Sequence, residues 1–233
     1  MLNMLNIGLA LTTFMALFPI ANPFSTAPVF LAITQGDSEQ KRAKQVRMAI
    51  IYMFAILVVF LVAGTMILNF FGISIPGLRI AGGIMIARIA MSMLTPSRED
   101  EQTQEEEEES VQKRDVSFTP MAMPSLSGPG AIAVTIGLTS LAEHWWDYAS
   151  IIFGIFVVCL ICFFVLRGAT KIVKFLGANG MNAMTKIMGF LLLCVGIQFI
   201  VNGITGIVTD AGFLQTLVDV VNNLPQTPGS SGP

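Results

Sequence analysis

Residues 1–36, 48–78, 116–142, 148–166 and 187–209 carry no charged side chain. A helix needs roughly 20 apolar residues to cross a bilayer, so each run is long enough to hold a span. Inside hydrocarbon the backbone must satisfy its own hydrogen bonds, which makes these runs helices. Only 12% of the chain is charged and 54% is hydrophobic, with a mean hydropathy of +0.73. A soluble domain carries about 25% charged residues and has nowhere to hide this much apolar surface. The reading is an integral membrane protein in contact with a lipid bilayer. Spans are expected near residues 4–34, 46–70, 75–95, 118–141, 148–167 and 186–208.

Other classes fall away on composition. The net charge is −2, and no basic stripe with interleaved aromatics suggests a nucleic-acid partner. Cys159, Cys162 and Cys194 lie in expected spans and read as small apolar packing residues, not a disulfide framework. Every Asp and Glu falls in a loop or the tail, and the lone histidine, His144, sits between spans. A membrane hydrolase needs a nucleophile with a base, or a metal set, at membrane depth. The chain is therefore not expected to be an enzyme, and no cofactor or metal is implied. A coupling ion, sodium or proton, stays open. The N-terminal MLNMLNIGLA lacks a basic region and a cleavage site, so the first run is read as a resident span.

Lys and Arg set the orientation, because basic loops stay cytoplasmic. Lys41, Arg42, Lys44 and Arg47 follow the first span; Arg98, Lys113 and Arg114 follow the third; Arg167, Lys171, Lys174 and Lys186 follow the fifth. The intervening loops have none. Both termini are thus expected outside, with Trp145, Trp146 and Tyr148 in an outer aromatic belt. Residues 105–109 are all glutamate, a like-charge block expected to stay solvated in a cytoplasmic loop. In the tail, Phe213, Leu217, Val220, Val221 and Leu224 recur at roughly helical spacing, as for a helix lying along the outer interface.

One sequence motif occurs twice. Residues 19–28 read PIANPFSTAP and residues 120–129 read PMAMPSLSGP. Pro19, Ala21, Pro23, Ala27 and Pro28 match Pro120, Ala122, Pro124, Gly128 and Pro129, at an offset of 101 residues. A weaker echo links Arg79-Ile80-Ala81-Gly82 to Lys186-Ile187-Met188-Gly189. Three spans per repeat is odd, so the second copy enters from the opposite side, as in inverted-repeat transporters. The fold class is then an all-α polytopic membrane protein. Six transmembrane helices form two inverted three-helix repeats, with helices 1 and 4 interrupted at the proline motifs. The divisions are 1–95, 96–117 for the acidic loop, 118–208, and 209–233 for the tail.

Proline removes a backbone N–H and clashes with the preceding turn. Freed polar groups at membrane depth are tolerated only in protein or a wet cavity, so the interruptions should face inward. Asn22 followed by Pro23 reads as an N-cap and first helical residue, and Ser127-Gly128-Pro129 offers a similar restart. A restarting helix aims N–H groups and partial positive charge at its approach, which suits a carboxylate. The expected substrate-binding set is Asn22, Pro23, Ser25, Thr26, Pro124, Ser125, Ser127, Gly128 and Pro129. Simple helix kinks for packing are the competing account. Gly82, Gly83, Gly189 and Gly196 are read as close helix packing. Arg88 is read as snorkelling to the interface or pairing between helices. Gln198 and Asn202, one turn apart, either bond between helices or line a cavity.

At LFPIANPFSTAPVFLAI, FGISIPGLRIAGGIMIA, FTPMAMPSLSGPGAIAV and MGFLLLCVGIQFIVNGI the chain resembles the MarC family of bacterial inner-membrane proteins. The resemblance covers most of residues 4–208. It implies six spans, kinship with LysE-type exporters, and residence in the bacterial inner membrane. Some archaeal members look like transporters of glycine and alanine. The function so implied is a carrier of small neutral amino acids or similar zwitterions. Alternatives that stay open are a carrier of another small solute, such as a drug or metabolite exporter, and a non-transporting scaffold or sensor. A homo-oligomer is among the partner options. Arg88 and the 105–109 run are not features the family leads one to expect.

Overall fold

A computed structural model describes residues 6–95, 126–142 and 144–222. Pro124, Ser125, the 105–109 run and Leu224 lie outside the described residues. Helix α1 spans Ile7–Ala21, α2 Pro23–Ile33, α3 Glu39–Phe71, α4 Ile75–Leu94 and α5 Pro129–Leu138. A 3₁₀ turn, Thr139–Leu141, extends α5; then follow α6 Trp145–Arg167, α7 Ala169–Val208 and α8 Ala211–Asn222.

Short polar residues start these helices. Asn6 Oδ1, Ser38 Oγ and Ser74 Oγ accept bonds from the N–H groups of Leu9, Lys41 and Gly77 at 3.1, 3.3 and 3.2 Å. Each satisfies an N–H that has no intrahelical partner. Before α6 the roles reverse, and the His144 N–H donates to Asp147 Oδ2 at 3.0 Å. Gly72 ends α3 at φ 65°, where a side chain would be strained.

The α2–α3 turn is tied by charge. Arg42 donates from Nε and Nη2 to the Thr34 carbonyl at 3.1 and 2.8 Å, and Lys41 pairs with Asp37 at 2.5 Å. Arg42→Ala should lower stability by about 1–2 kcal/mol, since two charge-assisted bonds to a helix end are lost. A lower melting midpoint in detergent is the readout; an unchanged midpoint would make the turn self-sufficient.

Helix packing depends on residues without side chains. Helix α4 runs antiparallel to α7. A Cβ on Gly203 would lie 2.8 Å from the Pro76 carbonyl oxygen, one on Gly83 would lie 2.6 Å from the Gly196 carbonyl oxygen, and one on Gly189 would lie 3.0 Å from Met93 Cβ. Gly82 presses on Ala133 of α5, Gly64 of α3 on Ile136 of α5, and Gly154 of α6 on Thr13 of α1. Small residues let the backbones approach to full van der Waals contact, the main attraction between helices in lipid. The glycines named from sequence thus pack helix on helix. The principal contacts pair α4 with α7 and α5, α1 with α6 and α5, α3 with α6 and α5, and α2 with α7 and α6. They join elements before residue 96 to elements after residue 125. Leu17, Met53, Leu61, Ile86, Leu126 and Ile155 are fully buried in the core they enclose.

Among the described residues five stretches are long and apolar enough to cross a membrane: Ile7–Ile33, Glu39–Phe71, Ile75–Leu94, Trp145–Arg167 and Asn179–Val208. Pro129–Leu141 is a shorter apolar helix, and the first part of the expected fourth span lies outside the described residues. Two bounds differ from the sequence reading. Helix α3 starts at Glu39, not 46, because Ser38 caps it and residues 39–45 are good helix formers despite their charge. Helix α7 starts at Ala169, not 186, and bends at Gly177, whose φ of 64° and ψ of −179° leave the helical region. Cys159 and Cys162 are buried, but Cys194 is exposed on α7, which corrects its reading as a packing residue.

Candidate functional site

The first proline motif divides two helices at one residue. Asn22 closes α1 and opens α2 with φ 31° and ψ 69°; no other non-glycine described residue has positive φ. Asparagine tolerates this left-handed conformation because its short side chain bonds locally. Here Asn22 Oδ1 accepts from the Ser25 N–H at 3.4 Å, while Pro23 takes the first helical position and offers no N–H. The Asn22 carbonyl accepts from Ser25 Oγ and Thr26 Oγ1, both at 3.2 Å. Asn22 and Thr26 are 4% and 8% exposed. Pro19 and Pro28 lie within α1 and α2, so only one of the motif's prolines stands at an interruption.

The second motif restarts elsewhere in its own register. Helix α5 begins at Pro129 with Gly128 as its cap residue and no side-chain capping bond. Pro129 corresponds to Pro28 of the first motif, whereas α2 restarts at Pro23. The second and third N–H groups of α5, on Gly130 and Ala131, have no intrahelical acceptor. Beside them lies Ser127, 0% exposed, whose Oγ has no hydrogen-bond partner among the described residues. An unmet buried hydroxyl costs on the order of 1–3 kcal/mol.

These two places are close neighbours. A Cβ on Gly130 would meet Ile86 Cγ1 at 3.0 Å and Ile20 Cγ2 at 3.9 Å, so α5's first turn abuts α4 and the residue two before Asn22. Asn22 Nδ2 points to Met93 Sδ at 3.8 Å, two turns further along α4. No hydrogen bond joins Asn22, Ser25 or Thr26 to Ser127. A groove of about 460 Å³ between α4 and α5, lined by Gly82, Met85 and Ala133, reaches Gly128 and Pro129. A larger cleft, about 810 Å³, opens one turn beyond Thr26 at Phe30 and carries Arg42, Arg167 and Lys171. None of the expected site residues among those described lines that larger cleft.

Chemically, the pair of restarts offers N–H groups, hydroxyls and partial positive helix ends. Among the described residues no group of His, Cys, Asp and Glu is arranged to hold a metal ion. Sequence reasoning missed Met93 and Ile20. A methionine on an apolar helix carries no signal of a polar neighbour.

The comparisons agree with this architecture. The family model described as "MarC family integral membrane protein" matches residues 8–208. The inner membrane proteins MarC of Citrobacter koseri, Salmonella typhimurium and Escherichia coli O1:K1 are each 38% identical over 213 residues, covering 87% of this chain and 95% of theirs. No solved structure matches. The chain therefore belongs to the MarC family of multi-pass inner-membrane proteins.

Proposed function

We propose that the chain is a carrier of small neutral amino acids or similar zwitterions, working by alternating access around the restarts at Asn22 and Gly128. The observation that carries this reading is Ser127. A buried hydroxyl with no partner among the described residues, beside a helix N-terminus that no side chain caps, suits a carboxylate. At the Asn22 turn the Ser25 and Thr26 hydroxyls and the Asn22 side-chain oxygen each keep a lone pair for an ammonium group. Pro23 and Pro129 fix the two helix starts, and Pro124 and Ser125 would complete the second.

Depth supports the reading. At 1.5 Å per residue α1 is roughly 22 Å long, α2 roughly 16 Å and α5 roughly 15 Å. A hydrocarbon core is about 30 Å thick, so both restarts fall near the midplane. The packing is also what two inverted three-helix repeats would give. Exchanging the first, second and third spans with the fourth, fifth and sixth turns the α1–α6 contact into α3–α5 and the α4–α5 contact into α2–α7, all of which are present. The α4–α7 contact maps onto itself. The basic loops support an orientation with both termini outside. Rocking of one repeat against the other would then expose the site to each side in turn.

Uptake and counterflow of labelled glycine and alanine in proteoliposomes, under separate sodium and proton gradients, is the test. Ser127→Ala is the informative variant. It deletes an unmet hydroxyl, so folding should be unchanged or improved by about 1 kcal/mol. Saturable flux should fall at least about tenfold, the value of one lost bond to a charged group. Normal flux in Ser127→Ala would remove this hydroxyl from the site. Absence of flux in folded wild type under every gradient would remove glycine and alanine as substrates.

A further inference from the structure

Helix α7 carries three non-apolar residues at i, i+4 and i+8: Cys194, Gln198 and Asn202. All three are exposed. Gln198 Nε2 donates to Asn202 Oδ1 at 2.8 Å, and neither side chain has another partner among the described residues. One Gln198 N–H, the Gln198 carbonyl and both Asn202 N–H groups remain open. Their surroundings are apolar: Ile197, Val201 and Ile204 are 51%, 47% and 51% exposed on the same stretch. Gln198 stands ten residues from the end of the Asn179–Val208 stretch, roughly 15 Å in, which is the middle of a bilayer.

Lipid tails cannot meet these groups, so each open amide favours a partner helix that can. Arg88, also exposed within a membrane-length helix, has a stem long enough to reach the interface. Gln198 and Asn202 are too short for that. The exposed faces of α3 at Val59, Val62 and Met66, and of α6 at Phe153, Phe156 and Leu160, are apolar and suit lipid as they stand.

We infer that the Cys194–Gln198–Asn202 face of α7 is a helix–helix interface with a second copy of this chain. A carboxamide is both donor and acceptor, so a face bearing two of them is complementary to itself. A two-fold axis along the membrane normal sets both copies in the same orientation and at the same depth. Gln198 of one copy then meets Asn202 of its partner, and the open N–H and carbonyl groups close across the axis. This inference does not depend on what the protein carries.

The chain contains its own probe. Cys194 sits one turn from Gln198 on that face, while Cys159 and Cys162 are buried. Copper-phenanthroline oxidation of the full-length protein, diluted in liposomes at low protein-to-lipid ratio, should give a covalent dimer that Cys194→Ser abolishes. Gln198→Leu with Asn202→Leu, Cys194 retained, should reduce its yield about tenfold, which corresponds to one to two interhelical amide bonds. Moving the thiol to the α3 face, as Val62→Cys in the Cys194→Ser background, should give no cross-link. Subunit counting by single-molecule photobleaching of wild type should show pairs. Single subunits, pairs that do not cross-link through Cys194, equal cross-linking from position 62, or a leucine variant that pairs as well as wild type would each overturn the inference.

Discussion

Gly83→Val should abolish the folded protein. A Cβ at Gly83 would lie 2.6 Å from the Gly196 carbonyl oxygen, 2.7 Å from Ile200 Cγ1 and 3.0 Å from the Ile200 nitrogen. Two of those three atoms are backbone, so relief requires α4 and α7 to part. A valine adds two further methyl groups to that clash. Overpacking of a core costs about 1–3 kcal/mol when side chains can shift, and more when they cannot. A loss above about 3 kcal/mol is a large share of a total stability of about 5–15 kcal/mol. Gly196→Val should behave alike, since its Cβ would lie 2.9 Å from both the Ala87 nitrogen and the Gly83 carbonyl oxygen. Ile84→Val, on the exposed side of α4, is the matched control. Size-exclusion profiles and melting midpoints in detergent read the outcome. A monodisperse Gly83→Val protein with a wild-type midpoint would mean that these helices do not cross there.

Asn22 should separate stability from function by the choice of replacement. Alanine in a left-handed conformation costs roughly 1–2 kcal/mol. As a cap, alanine is worse than asparagine by about 1 kcal/mol. Asn22→Ala should therefore be destabilised by about 2–3 kcal/mol. Glycine accepts the conformation freely, and as a cap it costs only a few tenths of a kcal/mol. Asn22→Gly should fold like wild type and yet lose most amino-acid flux, because the amide at the restart is gone. Its midpoint and its uptake, measured on one preparation, give the answer. Wild-type uptake in Asn22→Gly would reduce Asn22 to a structural corner. If glycine and alanine destabilise equally, backbone conformation is not what selects asparagine here.

Much of this was legible because membrane and backbone rules are strict. Uncharged runs had to be helices, and an asparagine before a proline is a strong place for one helix to give way to the next. Small residues at Gly82, Gly83, Gly189 and Gly196 predicted close approach, and the backbone distances agree. The rest depends on facts that a linear pattern does not carry. Both restarts fall at the residues expected, α2 at Pro23 and α5 at Pro129, but the motif's repetition does not show why its two copies open at different prolines. Helix α3 outruns its apolar stretch because charge limits a span, not a helix. Gln198 and Asn202 were placed between helices or in a cavity, whereas they bond to each other on the outside of α7. Helical periodicity shows that two residues share a face but not what that face meets.

The principal helix contacts cross from residues before 96 to residues after 125, and this has a consequence for biogenesis. The ribosome finishes the early helices while their glycine surfaces have no mate. Gly64, Gly82 and Gly83 all wait for residues beyond 130. Until the last helix leaves the insertion machinery, the early part must stay loosely associated in lipid or be sheltered by a membrane chaperone. Supplied as two separate polypeptides, neither piece should survive quality control alone, and each should rescue the other when made together.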